Sequence, residues 1–510
     1  MIGKLKFNEL IVNSLLKYAG IIKYLAYINL FLISLFIILN IIFPLNIKIN
    51  YSRLVLSKDG KILTSFLSID DKWRYESKIN EISEYVRTSF LFKEDKYFYY
   101  HPGVNPVSMI RAFFDNITEG EIKSGASTIT MQLARMLEPK KRSYFNKLIE
   151  IFRAFQLETF YSKDEILEMY LNKVPFGSNI EGIYAASFLY LNKYPNKLSL
   201  SQATALSVIP NAPNKLAIGF NNQLIYQEKN KWLKRMKASG VFTDQIIDAA
   251  IQEPFEAKRK DSPKYAVQLS NRLSAGNRSK SIVNSTIDYE TQFNTERICY
   301  NYINSLKFFN INNCSVIIID NKTKEVKAYM GSNDFSDTEN YGQVDGVTAV
   351  RSPGSTLKPF LYALAFDKGL ITPKQVVLDV PIISGDYKPE NFDGKYRGRI
   401  TIEDALINSL NIPAVNVLNQ YGVLNFIDKL EEANFSSITL NRKNLGLSMI
   451  LGGCGVTLEE LTNLFSIFAN NGYYSNLLYH KCDTIYHRKK ILSPEASYRS
   501  EEHTSELQSH

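Results

Sequence analysis

Two stretches of the 510-residue chain combine residue types and spacings that could do chemistry. In one of them Ser355 and Lys358 lie three residues apart, so their side chains face the same way at the opening of a helix. A lysine that is unprotonated or hydrogen-bonded can activate such a serine as a nucleophile for acyl transfer. The spacing alone is common by chance, but Ser409-Leu410-Asn411 follows it. Ser355, Lys358, Ser409 and Asn411 are therefore candidates for one catalytic group.

The other stretch surrounds Glu94. Residues 92–103 predict a single helix that ends in a Pro-Gly pair. On this helix Glu94 and His101 would share one face, and Asp95 would point about 100° away. A carboxylate above a histidine can act as a general base, which makes Glu94 a candidate catalytic residue and His101 a candidate substrate-binding residue. The alternative is a surface glutamate beside a helix-ending histidine.

A hydroxyl, an amide and a guanidinium follow on one predicted helix. The run 125–128, Gly-Ala-Ser-Thr, is typical of a helix start, where free backbone N–H groups can bind an anion. Thr128, Gln132 and Arg135 then share a face at i, i+4 and i+7. With Ser127 beside it, this face would suit a sugar diphosphate. An ordinary N-cap on an amphipathic helix is an equal alternative.

Positive charge is concentrated after this helix and prevails in the whole chain. Arg142 and Lys147 lie near Glu150, in what could also be a solvated basic patch. The chain has 60 Lys and Arg against 51 Asp and Glu, which favours anionic partners such as phosphates or a membrane face. No zinc-finger or RNA-binding signature occurs, so we predict no nucleic-acid partner. The four cysteines contain no C-x-x-C and predict neither a redox pair nor a metal site.

The elements that must position these residues begin with an apolar run. Residues 24–45 carry no charge and would span about 33 Å as a helix, enough for a bilayer core. We predict an uncleaved membrane anchor, because a cleaved signal peptide would have a shorter apolar region followed by small residues. Basic residues flank the run on both sides, so they do not determine its orientation.

Two regions of different character follow the anchor. A hairpin is predicted around Asp59-Gly60, and the pattern is then helical from about 81 to 253, with Ser162 starting a new helix. After a polar stretch, residues 314–320 and 325–331 predict a pair of strands. The sequence therefore predicts a helical domain followed by a mixed domain.

The runs around Glu94, Thr128 and Lys147, with residues 170–177, resemble in order and content the leading motifs of family 51 peptidoglycan glycosyltransferases. The resemblance covers about residues 54–257. It implies an α-rich, lysozyme-like domain that polymerises lipid II.

Carried across residue by residue, this resemblance makes Glu94 the base that deprotonates the 4-hydroxyl of the acceptor sugar, which then displaces undecaprenyl diphosphate. Glu150 matches a second glutamate that aids the departing diphosphate. Five residues match diphosphate- and donor-site positions: Ser127, Thr128, Gln132, Arg135 and Lys147. The family's arginine before that lysine is Asn146 here, and Arg142 is the residue that could supply its charge.

The second group of residues resembles the transpeptidase domain of class A penicillin-binding proteins, in which S-x-x-K precedes S-x-N. Residues 351–363, 391–393 and 451–453 extend this resemblance, and residues 211–214 look most like the 1C branch of that class. It implies an α/β penicillin-binding/β-lactamase-like fold. The family's Lys-Thr-Gly or Lys-Ser-Gly strand has no counterpart after Asn411, since the only match is Lys123-Ser124-Gly125. We therefore expect an incomplete, impaired transpeptidase site.

The resemblances imply a multidomain chain: a cytoplasmic segment 1–23, a transmembrane anchor 24–45, a glycosyltransferase domain 46–257, a linker 258–281 and a partial transpeptidase domain 282–498. The polar tail 499–510 reads as the translation of a sequencing adapter rather than a natural terminus. The chain would be a single-pass protein of the bacterial inner membrane with both catalytic domains in the periplasm.

The implied partners are lipid II, the growing glycan strand, stem peptides and cell-wall synthesis proteins, with β-lactams and moenomycin as inhibitors. No organic cofactor is implied, and Mg²⁺ or Mn²⁺ could bind at the diphosphate. Two rival functions stay open: a membrane-bound lytic glycan hydrolase and a non-catalytic cell-wall scaffold. Arg135 and Lys147 argue against the hydrolase, which has no diphosphate leaving group.

Overall fold

The computed structural model describes residues 23–24, 26–107, 127–141, 143–277, 280–382, 388–486 and 488–498. These residues form two compact units. Unit 1 consists of the described residues of Met1–Ser52 and Leu67–Asp261, and unit 2 of those of Arg53–Phe66 and Ser262–His510. The predicted tail 499–510 lies outside the described residues.

Unit 1 is helical where it is described. Its α-helices are α1 (Glu84–Glu94), α2 (Ile129–Leu137), α3 (Tyr144–Phe160), α4 (Lys163–Lys173), α5 (Ile183–Leu191), α6 (Leu200–Val208), α7 (Asn222–Ala238) and α8 (Asp244–Gln252). Short 3-10 helices occupy Ile79–Glu81, Phe98–Tyr100, Pro195–Lys197 and Ile209–Asn211. Serine or threonine caps begin most of these helices, and Ser162 with Glu165 forms the capping box that its spacing predicts.

Helix α6 lies at the centre of unit 1. Eight of its nine residues are buried, because Ala, Ser and Thr positions let neighbouring helices pack closely around it. Its Thr204 shares a 3.2 Å hydrogen bond with Ser89 of α1. Phe90 of α1 packs edge-on against Tyr170 and Phe176. This packing fixes the C-terminal end of α1, where Glu94 lies.

The prediction of one helix over residues 92–103 is wrong. Helix α1 ends at Glu94, and Asp95 leaves the helical region with φ −161°. The chain then makes a 3-10 turn at Phe98–Tyr100 and reverses at Gly103, whose φ of +84° favours glycine. The helix ends early because the Asp95 carboxylate bonds to groups outside the helix.

Residues 26–42 are helical, and their large apolar side chains are mostly exposed. The carbonyl of Phe43, just beyond this helix, accepts from Arg153 Nη1 at 2.8 Å and from Gln156 Nε2 at 3.0 Å. Across the described parts of the chain, no helix combines the length and apolarity needed to span a membrane.

Unit 2 mixes helices and short strands. Its strands are β1 (Arg53–Leu56), β2 (Ile62–Phe66), β3 (Ile282–Asn284), β4 (Val316–Ile319), β5 (Val326–Met330), β6 (Val376–Asp379), β7 (Gly398–Thr401), β8 (Tyr473–Tyr474) and β9 (Lys489–Lys490). Its α-helices are α9 (Val267–Gly276), α10 (Tyr289–Leu306), α11 (Lys358–Asp367), α12 (Ile402–Ile407), α13 (Asn411–Tyr421), α14 (Val423–Glu432), α15 (Ser436–Asn441) and α16 (Leu458–Phe465). Its 3-10 helices are Lys307–Phe309, Arg442–Asn444, Leu447–Leu451 and Phe468–Asn470.

The predicted hairpin forms as an antiparallel pair of β1 and β2, and β3 joins it parallel to β1. The sequence grouped this hairpin with the first domain, whereas the structure places it in unit 2. The predicted linker 258–281 contains α9, whose Leu269 and Leu273 are buried in the core beneath this sheet. The two predicted strands after residue 313 form the antiparallel pair of β4 and β5.

The main core of unit 2 surrounds α11. Its first eight residues are buried, and Phe360 packs against Phe426 of α14. A helix that is apolar on all sides must lie inside its domain. The start of α11, which carries Lys358, is therefore held rigidly by the core.

Candidate active sites

Glu94 is the last residue of α1, and its side chain is 6% exposed. Its carboxylate pairs with the ammonium of Lys93, which is 3% exposed. Gln132 of α2 donates from Nε2 to Glu94 Oε2 at 3.0 Å. The Asn211 amide, in the orientation that satisfies both neighbours, donates to Glu94 Oε1 at 3.1 Å and accepts from Lys93 Nζ at 2.7 Å. Three donors leave about one of the roughly four acceptor positions of a carboxylate for a substrate hydroxyl.

Tyr170 of α4 orients the amide that faces Glu94. Its hydroxyl donates to Gln132 Oε1 at 3.3 Å, so the amide NH₂ group points toward Glu94. Burial, with the charge of Glu94 second, raises the pKa of Tyr170 well above its usual value, and the hydroxyl keeps its proton. Arg135 is half-buried and acts electrostatically on the same hydroxyl. Of the three residues predicted to share a face of α2, Gln132 therefore contacts Glu94 directly.

His101 pairs with Asp95 and does not share a helix face with Glu94. His101 Nε2 lies 3.0 Å from Asp95 Oδ1. Asp95 Oδ2 accepts from the N–H of Ile129, the first residue of α2, at 3.0 Å. Both side chains are buried. The structure thus uses this carboxylate to hold His101 and the start of α2 together.

Glu150 belongs to a second polar cluster at the start of α2. Lys147 Nζ donates to Glu150 Oε2 at 2.9 Å and to Ser127 Oγ at 2.7 Å. Thr128 is the N-cap of α2, accepting from Met131 N–H and donating to the carbonyl of Gly103. Its hydroxyl is therefore occupied within the fold. Arg142 lies outside the described residues.

The start of α2 connects the two clusters. Ser127, just before the helix, touches the Lys147–Glu150 pair, and Gln132, in its first turns, touches Glu94. The start of α2 thus touches a carboxylate of α1 that can accept a proton and an ammonium of α3 that can stabilise a leaving anion. These are the two functions that transfer from a sugar diphosphate needs.

The second site is built around Lys358, the first residue of α11, which is 1% exposed. Its Nζ donates to Asn411 Oδ1 and to the carbonyl of Ser409, both at 2.7 Å, with Ser409 Oγ at 3.4 Å. Burial lowers the pKa of Lys358 to about 8. Ser355 lies in the preceding turn, where its carbonyl accepts from the Lys358 N–H at 3.1 Å. The structure therefore brings the four predicted residues into one region of unit 2.

Ser409 adopts a backbone conformation that non-glycine residues rarely occupy, with φ of 51°. Such a conformation costs about 1–3 kcal/mol and persists only where its surroundings enforce it. Here it turns the Ser409 carbonyl toward Lys358 between α12 and α13. The strain therefore belongs to the arrangement that holds the lysine.

Two residues that the sequence did not predict as functional support Asn411. The buried carboxylate of Asp379 accepts from Asn391 Nδ2 at 2.9 Å on both oxygens. Asn391 Oδ1 in turn accepts from the N–H of Asn411 at 2.8 Å. Asn391 lies in residues 391–393, whose sequence resembles the transpeptidase domain. Its hydrogen bond to Asp379 is visible only in the structure. In the first site Lys93, Asn211 and Tyr170 were missed in the same way.

Candidate metal ligands are sparse. Among the residues that the structure describes, no group of three or more His, Cys, Asp or Glu side chains is arranged to bind a metal ion.

Comparison with known proteins matches both parts of the chain. A family model described as Transglycosylase matches residues 59–237, and one described as Penicillin binding protein transpeptidase domain matches residues 314–500. Helical unit 1 and mixed unit 2 thus correspond to a glycosyltransferase part and a transpeptidase part of one chain.

Curated penicillin-binding proteins are similar to most of this chain. Penicillin-binding protein 1C of Escherichia coli (strain K12) is 37% identical over 446 residues, 88% of this chain and 58% of that protein. Penicillin-binding proteins 1F and 4 of Bacillus subtilis (strain 168) are 32% and 26% identical over 86% and 84% of this chain, and over 63% and 74% of their own lengths. The chain thus spans about three-fifths of the first two relatives. It belongs to the class A penicillin-binding proteins and is similar to their 1C branch.

Proposed function

We propose that this chain is a peptidoglycan synthase that polymerises lipid II in unit 1 and carries a penicillin-sensitive D,D-transpeptidase site in unit 2. The observation that carries the proposal is the arrangement at α2, where Glu94 and the Lys147–Glu150 pair lie at the two sides of one helix start. The family membership supports the same activities.

In the proposed glycosyl transfer, Glu94 accepts the proton of the acceptor sugar's 4-hydroxyl. The hydroxyl oxygen forms the new bond to the anomeric carbon of the growing strand, and the bond from that carbon to the diphosphate breaks. Lys147, held by Glu150 and Ser127, stabilises the negative charge that develops on the departing diphosphate. Gln132 holds the Glu94 carboxylate in place for this step.

In the proposed acyl transfer, Ser355 Oγ attacks the carbonyl of a stem peptide or a β-lactam, and the amine of Lys358 accepts the hydroxyl proton. With a pKa of about 8, roughly a tenth of the lysine is neutral at pH 7, far more than for an ordinary lysine. The printed chain has no Lys-Thr-Gly or Lys-Ser-Gly after Asn411, and Lys123-Ser124-Gly125 lies outside the described residues. We therefore propose that cross-linking by these 510 residues alone is weak.

We also propose that residues 24–45 anchor the chain in the bacterial inner membrane, with both units in the periplasm. The support is the uncharged 22-residue run and the exposed apolar side chains of residues 26–42. Further support comes from Tyr144, Phe145 and Leu148 at the start of α3, which are 97%, 71% and 64% exposed, as a membrane-facing surface would require.

The proposed substrates are lipid II, the growing glycan strand and stem peptides, with moenomycin and β-lactams as inhibitors and cell-wall synthesis proteins as partners. No organic cofactor takes part in this chemistry. Mg²⁺ or Mn²⁺ could assist by neutralising the diphosphate.

The decisive experiment incubates the purified chain in detergent with labelled lipid II and, separately, with preformed glycan. Long glycan strands that moenomycin suppresses would support the synthase. Fragments from preformed glycan would indicate a lytic hydrolase, and no reaction with either would indicate a scaffold. Fluorescent penicillin should label Ser355 only weakly in this chain, and stoichiometric labelling would contradict the proposed impairment.

A further inference from the structure

Two of the four cysteines come together in unit 2 although they are 15 positions apart in the sequence. Cys299 lies on α10, and Cys314 lies two residues before β4. Both are free thiols of intermediate exposure. Neither residue belongs to either of the sites described above.

The packing of α10 on the β4–β5 pair explains why they meet. Gln292 of α10 donates to the carbonyl of Tyr329 at 2.9 Å and accepts from its N–H at 2.7 Å. Tyr329 of β5 lies opposite Ile317 of β4. Gln292 therefore lies level with Tyr329 of β5 and with its pairing partner Ile317 of β4.

From this shared level, equal displacements lead to the two cysteines. Cys299 is seven residues after Gln292, on the same helix face and about 10 Å along the axis. Cys314 is three residues before Ile317, about 10 Å back along the strand direction. Because the chain reverses between α10 and β4, both displacements point the same way.

The side chains do meet. The two thiols contact each other, and burial followed by the neighbouring sulfur raises the pKa of Cys314 to about 12. The position of Cys314 is fixed by Asn313, whose Oδ1 accepts from the N–H groups of Cys314 and Asn333 at 2.9 and 2.8 Å. Asn313 Nδ2 also donates to the carbonyl of Asn340. Cys454, by contrast, directs its thiol to the carbonyl of Met449.

We propose that Cys299 and Cys314 form an intramolecular disulfide in an oxidising compartment, which ties the C-terminal part of α10 to the start of β4. The bond would close a loop whose tip exposes Phe308, Phe309 and Ile311. Only the compartment rests on the proposed periplasmic location. The pairing rests on the contact between the two thiols.

The reaction is a thiol–disulfide exchange with an oxidant of the disulfide class, for which glutathione disulfide is the probe. One cysteine thiolate attacks the oxidant and releases one glutathione as the mixed disulfide forms. The second cysteine attacks the protein sulfur of that bond and releases the second glutathione. Two protein thiols lose two electrons and two protons, and one glutathione disulfide becomes two glutathione molecules. The rate should rise with pH because the thiolate is the nucleophile.

The test uses the full chain in detergent, incubated with glutathione disulfide, trapped in acid and denatured for thiol counting. Peptide mapping should find Cys299 joined to Cys314 with no glutathione on either residue, reversibly with dithiothreitol, and any glutathione bound to the exposed Cys482 is counted separately. The oxidised form should melt higher, by roughly 5–10 °C for a loop of this length. The mapping uses the unmutated protein, so it does not depend on any variant folding.

Cys454→Ser and Cys482→Ser are the matched controls, and each should still form the bond between Cys299 and Cys314. Cys299→Ser should lose none to an internal bond and should instead accumulate a mixed disulfide with glutathione. Four thiols that persist in the oxidant, a cross-link through Cys454 or Cys482, or an oxidised form that melts lower would overturn the proposal. Since the readout is thiol chemistry, such a result would leave the proposed glycan polymerisation untouched.

Discussion

The buried Lys93–Glu94 pair makes it feasible to separate the chemistry of the first site from its folding. Glu94→Gln removes the proposed base, and it also leaves the buried ammonium of Lys93 without its counter-ion. We expect this variant to lose both glycan polymerisation and stability. Adding Lys93→Met removes the isolated charge, so the double variant should regain stability and remain inactive.

The expected losses of rate and of stability have different origins. Loss of a general base lowers the rate roughly 10²–10⁴-fold. Removing one partner of a buried ion pair costs about 3–5 kcal/mol, because the other charge stays buried and unpaired. The amide of Asn211 still accepts from Lys93, so we expect the lower end, about 3 kcal/mol. For a unit of this size that lowers Tm by roughly 6–12 °C.

Lipid II polymerisation on gels and calorimetry of the whole chain measure the two effects, and moenomycin identifies the transition of unit 1 by stabilising it. Glu84→Gln is the matched control, because Glu84 is exposed in the first turn of the same helix. Wild-type activity in Glu94→Gln would refute the assignment of the base. Activity that returns in the double variant would show that the single variant was only misfolded. A double variant as unstable as the single one would refute the argument from the ion pair.

Three further outcomes are expected. Glu150→Gln should lower kcat for lipid II polymerisation and leave KM nearly unchanged, whereas a raised KM with an unchanged kcat would make Glu150 a binding residue. Asp379→Asn removes the charged acceptor of the Asn391 amide, a hydrogen bond worth about 1.5–3 kcal/mol, so penicillin acylation should slow roughly tenfold or more. Asp393→Asn is the control: it changes an exposed carboxylate two residues after Asn391 and should have little effect. Burial depresses the pKa of Lys358 to about 8, so slow acylation of Ser355 should accelerate as pH rises from 6 to 8 and level off above, and a flat profile over that range would exclude a neutral lysine base.

The sequence was sufficient for features that depend on local spacing. Turn chemistry at Asp59-Gly60 located the hairpin, and Ser162 with Glu165 located a helix start. The order of the motifs was sufficient for the class of protein, and the roles that it gave to the residues of both sites stay predictions. Local patterns work here because each rests on hydrogen bonds between residues only a few positions apart.

Contacts between distant segments could not be predicted in this way. The sequence placed His101 on a face with Glu94, but Asp95 bonds to His101 and to the start of α2, and this ends α1 at Glu94. It gave no role to Lys93, which the structure shows to be the buried counter-ion of Glu94. A carboxylate 34 residues from its backbone partner has no local signal, because the partner is chosen by packing.

Only the tertiary structure shows that the hairpin belongs to unit 2 and that Cys299 is the neighbour of Cys314. The strand β1 pairs with β3, more than 200 residues later, and this pairing draws the hairpin out of the domain whose sequence it adjoins. Cys299 and Cys314 meet because α10 packs on β5 and the chain then reverses into β4. Strand pairing and helix packing bury area shared between distant segments, and the free energy of that burial depends on their joint arrangement rather than on either segment alone.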